Sequence, residues 1–143
     1  MTVAGSEAVE AWMNFADAVV TIKREFNRYL KKYDLSLIEF RIMSKLETDG
    51  PSSMARLADD LLITKAGTTL LTDRLEERGL IRRKRVREDR RLIFVELTPA
   101  GRRKVASARG LHDRFIVRKL SNLTAEEMER LVELVRKLTD EHS

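Results

Sequence analysis

The sequence predicts a mainly α-helical chain that carries one small antiparallel β-ribbon, on three observations. Apolar residues recur at three- and four-residue steps through most of the 143 residues, the period of helices with one buried stripe. One stretch departs from that period: Ile93, Val95 and Leu97 alternate every second residue, and Leu80-Ile81 opens a partner strand. Between the two strands stand Arg82, Arg83, Lys84, Arg85, Arg87, Arg90 and Arg91. Unpaired cations are too costly to bury, so the ribbon projects into solvent and faces something anionic.

The first helix is expected over Ser6–Tyr33, with Trp12, Phe15, Ala16, Val19, Ile22, Phe26, Leu30 and Tyr33 on one stripe. Asp34-Leu35 breaks it. Ser36 and Glu39 have the spacing of a capping box, which starts a second helix running to about Thr48 with Leu37, Phe40, Ile42 or Met43, and Leu46 turned inward. Asp49-Gly50-Pro51 stops that helix. Ser53 caps a short third helix, Met54–Leu61, and Leu62-Ile63 makes a turn. Thr64 caps a fourth helix, which closes at Arg78 before Gly79. Beyond the ribbon, Thr98-Pro99 begins a fifth helix, reaching about Leu120, with Val105, Ala108, Leu111 and Phe115 on one side. Thr124 and Glu127 form a second capping box and open the last helix, striped by Met128, Leu131, Val132, Val135 and Leu138.

One domain, residues 1–143, is the expectation for this length, with hydrophobic residues at 43% and charged residues at 36%. There is no cysteine, which removes disulfides, thiolate metal sites and thiol redox sensing. The first residues have neither the basic head nor the apolar run of a signal peptide, and no stretch of 18 apolar residues occurs. A cytoplasmic location follows as the expectation, with no membrane partner. The net charge of +5 is unevenly spread: residues 64–104 hold 13 basic and 6 acidic residues, and the rest hold 15 and 17. An anion-binding module is set in a near-neutral frame.

Short helix, tight turn, helix and basic ribbon is the order of a winged helix-turn-helix, here expected over residues 36–98. The Thr64–Arg78 helix suits a DNA major groove, and its N-terminal amides favour phosphate. Thr64, Lys65, Ala66 and Thr69 are candidate base readers, and Ser53, Thr68 and Arg74 complete the contacts expected from the two helices. Arg90 and Arg91 suit a minor groove, where narrow A·T tracts attract arginine. Arg82, Arg83, Lys84, Arg85 and Arg87 are expected on phosphates. Glu88 and Asp89 would repel DNA if they faced it, so Asp89 is expected to pair with Arg91 and stiffen the turn. The helical stripes on 6–33 and 99–141 carry more large apolar residues than one small winged domain covers, which predicts a homodimer joined by those helices.

Residues Asp89-Arg90-Arg91-Leu92-Ile93-Phe94-Val95-Glu96-Leu97-Thr98 resemble the wing motif of the MarR family of transcriptional regulators, Asp-x-Arg followed by alternating apolar residues and Leu-Thr. Leu57-Ala58, Thr64-Lys65 and Arg74-Leu75-Glu76-Glu77-Arg78-Gly79-Leu80 are similar to the family's helix-turn-helix. The resemblance implies an intertwined homodimer through the first and last helices, a pseudo-palindromic operator, repression, and release by a small phenolic or aromatic anion. The effector's cleft would lie between dimer helices and winged domain, with Arg24, Tyr33 and Arg41 as candidates for its wall. Gly67 departs from the family pattern, where a hydrogen-bonding side chain is more usual on the recognition helix.

Enzymatic chemistry finds no support. The six glycines are too scattered for a phosphate-binding loop, Asp59-Asp60 diverge on a helix, and His112 lacks the i, i+4 partner of a helical metal site. No cofactor is expected. The alternative to a sequence-specific regulator is a sequence-tolerant architectural protein, binding through phosphate charge alone.

Overall fold

The computed structural model describes residues 2–89 and 91–140; the ribbon-tip cation Arg90 lies outside the described residues, as does His142. The chain forms two compact units, Met1–Arg109 and Gly110–Ser143.

In the first unit, helix α1 spans Val3–Leu30. It begins three residues before the expected start at Ser6, because the Thr2 hydroxyl accepts from the Gly5 amide at 3.2 Å and caps the first turn. A 3₁₀ turn over Lys31–Tyr33 follows, and Asp34 takes the left-handed conformation (φ 52°) that ends it. Only Phe26 and Leu30 of α1 are buried, while Val9, Trp12, Met13, Phe15 and Val20 remain exposed. Phe26 meets Phe40 edge-on, ring centroids 5.5 Å apart.

Helix α2, Leu37–Asp49, has its capping box in place: the Glu39 amide donates to Ser36 Oγ (3.2 Å) and the Ser36 amide to Glu39 Oε1 (2.9 Å). Both Ile42 and Met43 are buried, so the inward stripe is wider than one row. Strand β1, the pair Ser52–Ser53, precedes α3, Met54–Leu61, and α4, Lys65–Glu77. Strands β2, Ile81–Arg85, and β3, Ile93–Leu97, form the expected ribbon. The sheet has three strands in the order β1-β3-β2, all antiparallel, with Ser52 opposite Val95 and Arg83 opposite Val95 on the other side. The two-residue β1 has no alternating apolar pattern and does not announce itself in the sequence.

Val95 and Leu97 point into a core with Leu57, Ala58, Leu61, Leu75, Ile81 and Val105, all buried. The root of the ribbon is tied twice by Thr98: its hydroxyl donates to Gly79 O at 2.6 Å, and its amide donates to Leu80 O at 3.1 Å. Helix α5, Pro99–Lys119, starts there and crosses so close to the ribbon root that a Cβ on Gly101 would lie 1.9 Å from Leu80 O.

The second unit holds the end of α5 and helix α6, Ala125–Thr139, capped by Thr124 and Glu127 as expected. Met128, Leu131, Val132, Leu134, Val135 and Leu138 are exposed on α6. Among the described residues no helix is long and apolar enough to cross a membrane.

Gly101→Ala is expected to lose about 1–3 kcal/mol of stability, because the new methyl group can be housed only by moving backbone at the ribbon root. A urea midpoint equal to that of the wild type would show that the close approach carries no such constraint.

Candidate nucleic-acid interface

Two short helices present the first half of the site. Ser53 caps α3, its Oγ accepting from the Arg56 amide at 3.1 Å. Leu62, with φ 54°, turns the chain. Thr64 then caps α4, its Oγ1 accepting from the Gly67 amide at 2.9 Å. A Cβ at Gly67 would sit 3.0 Å from that same oxygen, so glycine keeps the capping hydroxyl uncrowded.

Helix α4 turns Thr68, Thr72 and Leu75 inward. The two buried hydroxyls are satisfied by their own helix, Thr68 donating to Thr64 O (2.9 Å) and Thr72 to Thr68 O (2.8 Å). Thr68 is 1% exposed and its hydroxyl is spent inside the helix, which counts against its expected contact with DNA, although it borders the groove between α4 and the ribbon. Lys65, Ala66, Thr69, Leu70 and Arg74 are exposed. The Thr69 hydroxyl donates to Lys65 O at 3.0 Å and keeps acceptor capacity for an outside donor.

The ribbon presents the second half, and its cations do not act alike. Arg82 and Lys84 lie on one face of β2 and converge on Glu96 of β3, at 2.6 and 3.0 Å. The Lys84 ammonium first, and then the Arg82 guanidinium, hold the Glu96 carboxyl below its ordinary value. Arg83 is on the opposite face and turns back onto α4, where its guanidinium meets Thr72 and Asp73. Arg85 and Arg87 are exposed. At the tip, Asp89 Oδ1 accepts from both the amide (3.0 Å) and the Nε (3.2 Å) of Arg91. Asp89 therefore orders the turn from within, as its sequence position suggests, and leaves the Arg91 side chain 92% exposed.

A groove of about 420 Å³ separates α4 from the ribbon. Lys65, Thr69, Arg83 and Arg91 line it beside Met54 and Leu92. The last two are not among the expected DNA contacts, although Leu92 stands in the wing motif directly after the tip cations. A second groove, of about 430 Å³, brings Arg24 and Arg41 together with Val20, Lys23, Leu37 and Ile38. Tyr33 is not in its wall, because the 3₁₀ turn changes the helical phase after Leu30. Behind α3, Lys45 and Arg56 both reach Asp49 and Asp60, tying α2 to α3. Among the described residues no group of His, Asp and Glu is placed to hold a metal ion; His112 Nδ1 instead lies 3.0 Å from Asp113 Oδ1.

Comparison with known proteins gives one consistent result. The family model described as "MarR family" matches residues 35–93. The uncharacterized HTH-type transcriptional regulator YpoP of Bacillus subtilis is 32% identical over 117 residues, which is 82% of each chain. The crystal structure of the transcriptional regulator BldR from Sulfolobus solfataricus superposes with a TM-score of 0.83 at 31% identity, covering 96% of this chain and 97% of that one. A cysteine-to-serine mutant of MarR from E. coli, complexed with operator DNA, shares the fold (TM-score 0.82, 21% identity, 94% and 96% covered).

The Glu96 clamp gives a pH dependence of known sign. A carboxyl group whose value is depressed by folding contributes stability above its ordinary value, and that contribution is lost as pH falls through the depressed one. Wild-type protein is therefore expected to melt above Glu96→Gln at neutral pH, with the gap closing as the pH falls through the depressed Glu96 value. A gap that stays constant from neutral to acid pH would separate Glu96 from the two cations.

Proposed function

The chain belongs to the MarR family of DNA-binding transcriptional regulators, and from that premise we propose that it is a homodimeric, sequence-specific repressor of a pseudo-palindromic operator. The observation that carries this reading is the pairing of the exposed first turns of α4 with the ordered, cationic ribbon tip on two sides of one groove. A helix bearing Lys65, Ala66 and Thr69 outward fits the major groove. A tip whose Arg91 side chain is held by Asp89 yet 92% exposed reaches the adjoining minor groove, where arginine is attracted by a narrow A·T tract. Residues 36–98 form the DNA-binding region in this reading. Thr64 and Ser53 serve it through the helix ends they cap, Arg74 from the exposed face, and Arg85 and Arg87 on phosphates.

Dimerisation is supported by the apolar residues that each unit leaves exposed: Val9, Trp12, Met13 and Phe15 on α1, and Leu131, Val132, Val135 and Leu138 on α6. Faces of this kind mark association surfaces. Helices α1, α5 and α6 are thus assigned to the two-fold interface. Two recognition helices one duplex turn apart would read half-sites roughly 10 base pairs centre to centre. The Arg24–Arg41 groove, cationic at its rim and apolar at Val20, Leu37 and Ile38, suits a small aromatic or phenolic anion as the releasing effector. The protein acts in the cytoplasm without catalysis or cofactor.

Selection from a random duplex pool at about 150 mM salt should enrich an inverted repeat with half-sites one turn apart. On the selected duplex, Arg91→Ala and Arg90→Ala should each weaken binding by roughly 1–3 kcal/mol. Retention of duplex with no enriched sequence would replace this reading with the architectural one, and unchanged affinity in both variants would remove the ribbon from the contact.

A further inference from the structure

Seven cations of the ribbon look equivalent in sequence, but among the described ones Arg83 alone is not fully exposed. Arg83 Nη2 donates to Thr72 Oγ1 at 2.9 Å, reaches Thr69 O at 3.5 Å, and pairs with the Asp73 carboxylate. The Arg83 amide donates to Glu76 Oε2 at 3.1 Å. One residue of β2 is thereby joined to four residues of α4, spread over two turns of the recognition helix. Its Nε is buried, and its side chain is 26% exposed, against 55% for Arg82 and 62% for Lys84. Asp73 is itself anomalous. It is an acidic side chain, 49% exposed, on the outward half of a helix that should meet a polyanion. The Arg83 guanidinium neutralises it and uses it as an anchor.

We propose that Arg83 is a positioning residue: through Asp73 and Thr72 it fixes the separation between the recognition helix and the ribbon, and so sets sequence discrimination without contacting DNA. The proposal rests on the two-groove reading above. A protein that reads one groove with α4 and the next with the ribbon tip gains from both contacts only if their spacing matches the duplex. A long side chain whose terminal Nη2 meets the Asp73 carboxylate and the Thr72 hydroxyl, with Thr69 O at 3.5 Å, can hold that spacing. A lysine ammonium supplies the same charge on a shorter stem, without the rigid guanidinium plane that aims Nη2.

The test uses full-length wild type, Arg83→Lys and Asp73→Asn, with binding measured over several salt concentrations on the selected duplex and on a scrambled one. A positioning role predicts that both variants lose about tenfold in the selected-over-scrambled ratio, with the salt slope of Arg83→Lys unchanged. Asp73→Asn is the decisive case, because removing an acidic charge should strengthen binding to DNA if charge alone matters. An Asp73→Asn protein that binds the selected duplex as well as wild type or better, with its discrimination intact, overturns the proposal. So does an Arg83→Ala variant whose salt slope falls by about one, the signature of a lost phosphate contact. Amide hydrogen exchange across Ile81–Arg85, measured without DNA, separates the two levels of the account. Faster exchange in Arg83→Lys and Asp73→Asn supports the tie itself, and unchanged exchange in both counts against it. If the tie is supported but the wild type does not discriminate between duplexes, it is the two-groove reading that fails.

Discussion

A ribbon with seven cations cannot be buried, and the α4–ribbon side of this protein is arranged around that constraint. The solution is β3. It is the middle strand of the sheet, hydrogen-bonded to β1 on one edge and β2 on the other, and it places Val95 and Leu97 in the core. The apolar half of one five-residue strand thus anchors a charged projection that could not anchor itself. The other face of the same strand carries Glu96, which gathers Arg82 and Lys84. Beyond these ties, Thr98 and the close passage of Gly101 against Leu80 O secure the ribbon root to the start of α5.

The helix that shares the interface is held by the same economy. Three inward residues of α4, Thr68, Thr72 and Leu75, anchor it, and two of them are threonines whose hydroxyls bond back to the helix. A narrow inward stripe leaves most of the helix circumference outward, with Lys65, Ala66, Thr69 and Leu70 on the exposed side. Arg83 offsets the small anchorage by joining the helix to β2. Helix α4 and strand β2 are therefore tied through Arg83 by an ion pair and hydrogen bonds.

Much of this was legible in the sequence because it depends on local chemistry. Ser36 with Glu39 and Thr124 with Glu127 mark helix starts through side-chain-to-amide bonds three residues long, and the alternation of Ile93, Val95 and Leu97 marks β3. What was hidden depends on partners distant in the chain. Ser52–Ser53 becomes a strand only because β3 offers it an edge. Thr68 was assigned to the DNA because its type is polar, although its spacing from Thr72 and Leu75 already placed it on the inward stripe. Arg83 could have been separated from Arg82 and Lys84 by strand alternation, since it shares a face with buried Ile81, but nothing local named Asp73 as its partner. Arg24 and Arg41 do share a groove, whereas Tyr33 left it through a 3₁₀ turn that periodicity alone does not show.

The central claim, that α4 and the ribbon engage one duplex together, is tested most directly by titrating isotope-labelled protein with a selected operator duplex and following backbone amide shifts. The account predicts that residues 65–70 and 86–92 shift together, at the same duplex concentration, while α2 stays unperturbed. Shifts confined to one of the two segments, or centred on the exposed apolar faces of α1 and α6, would contradict it.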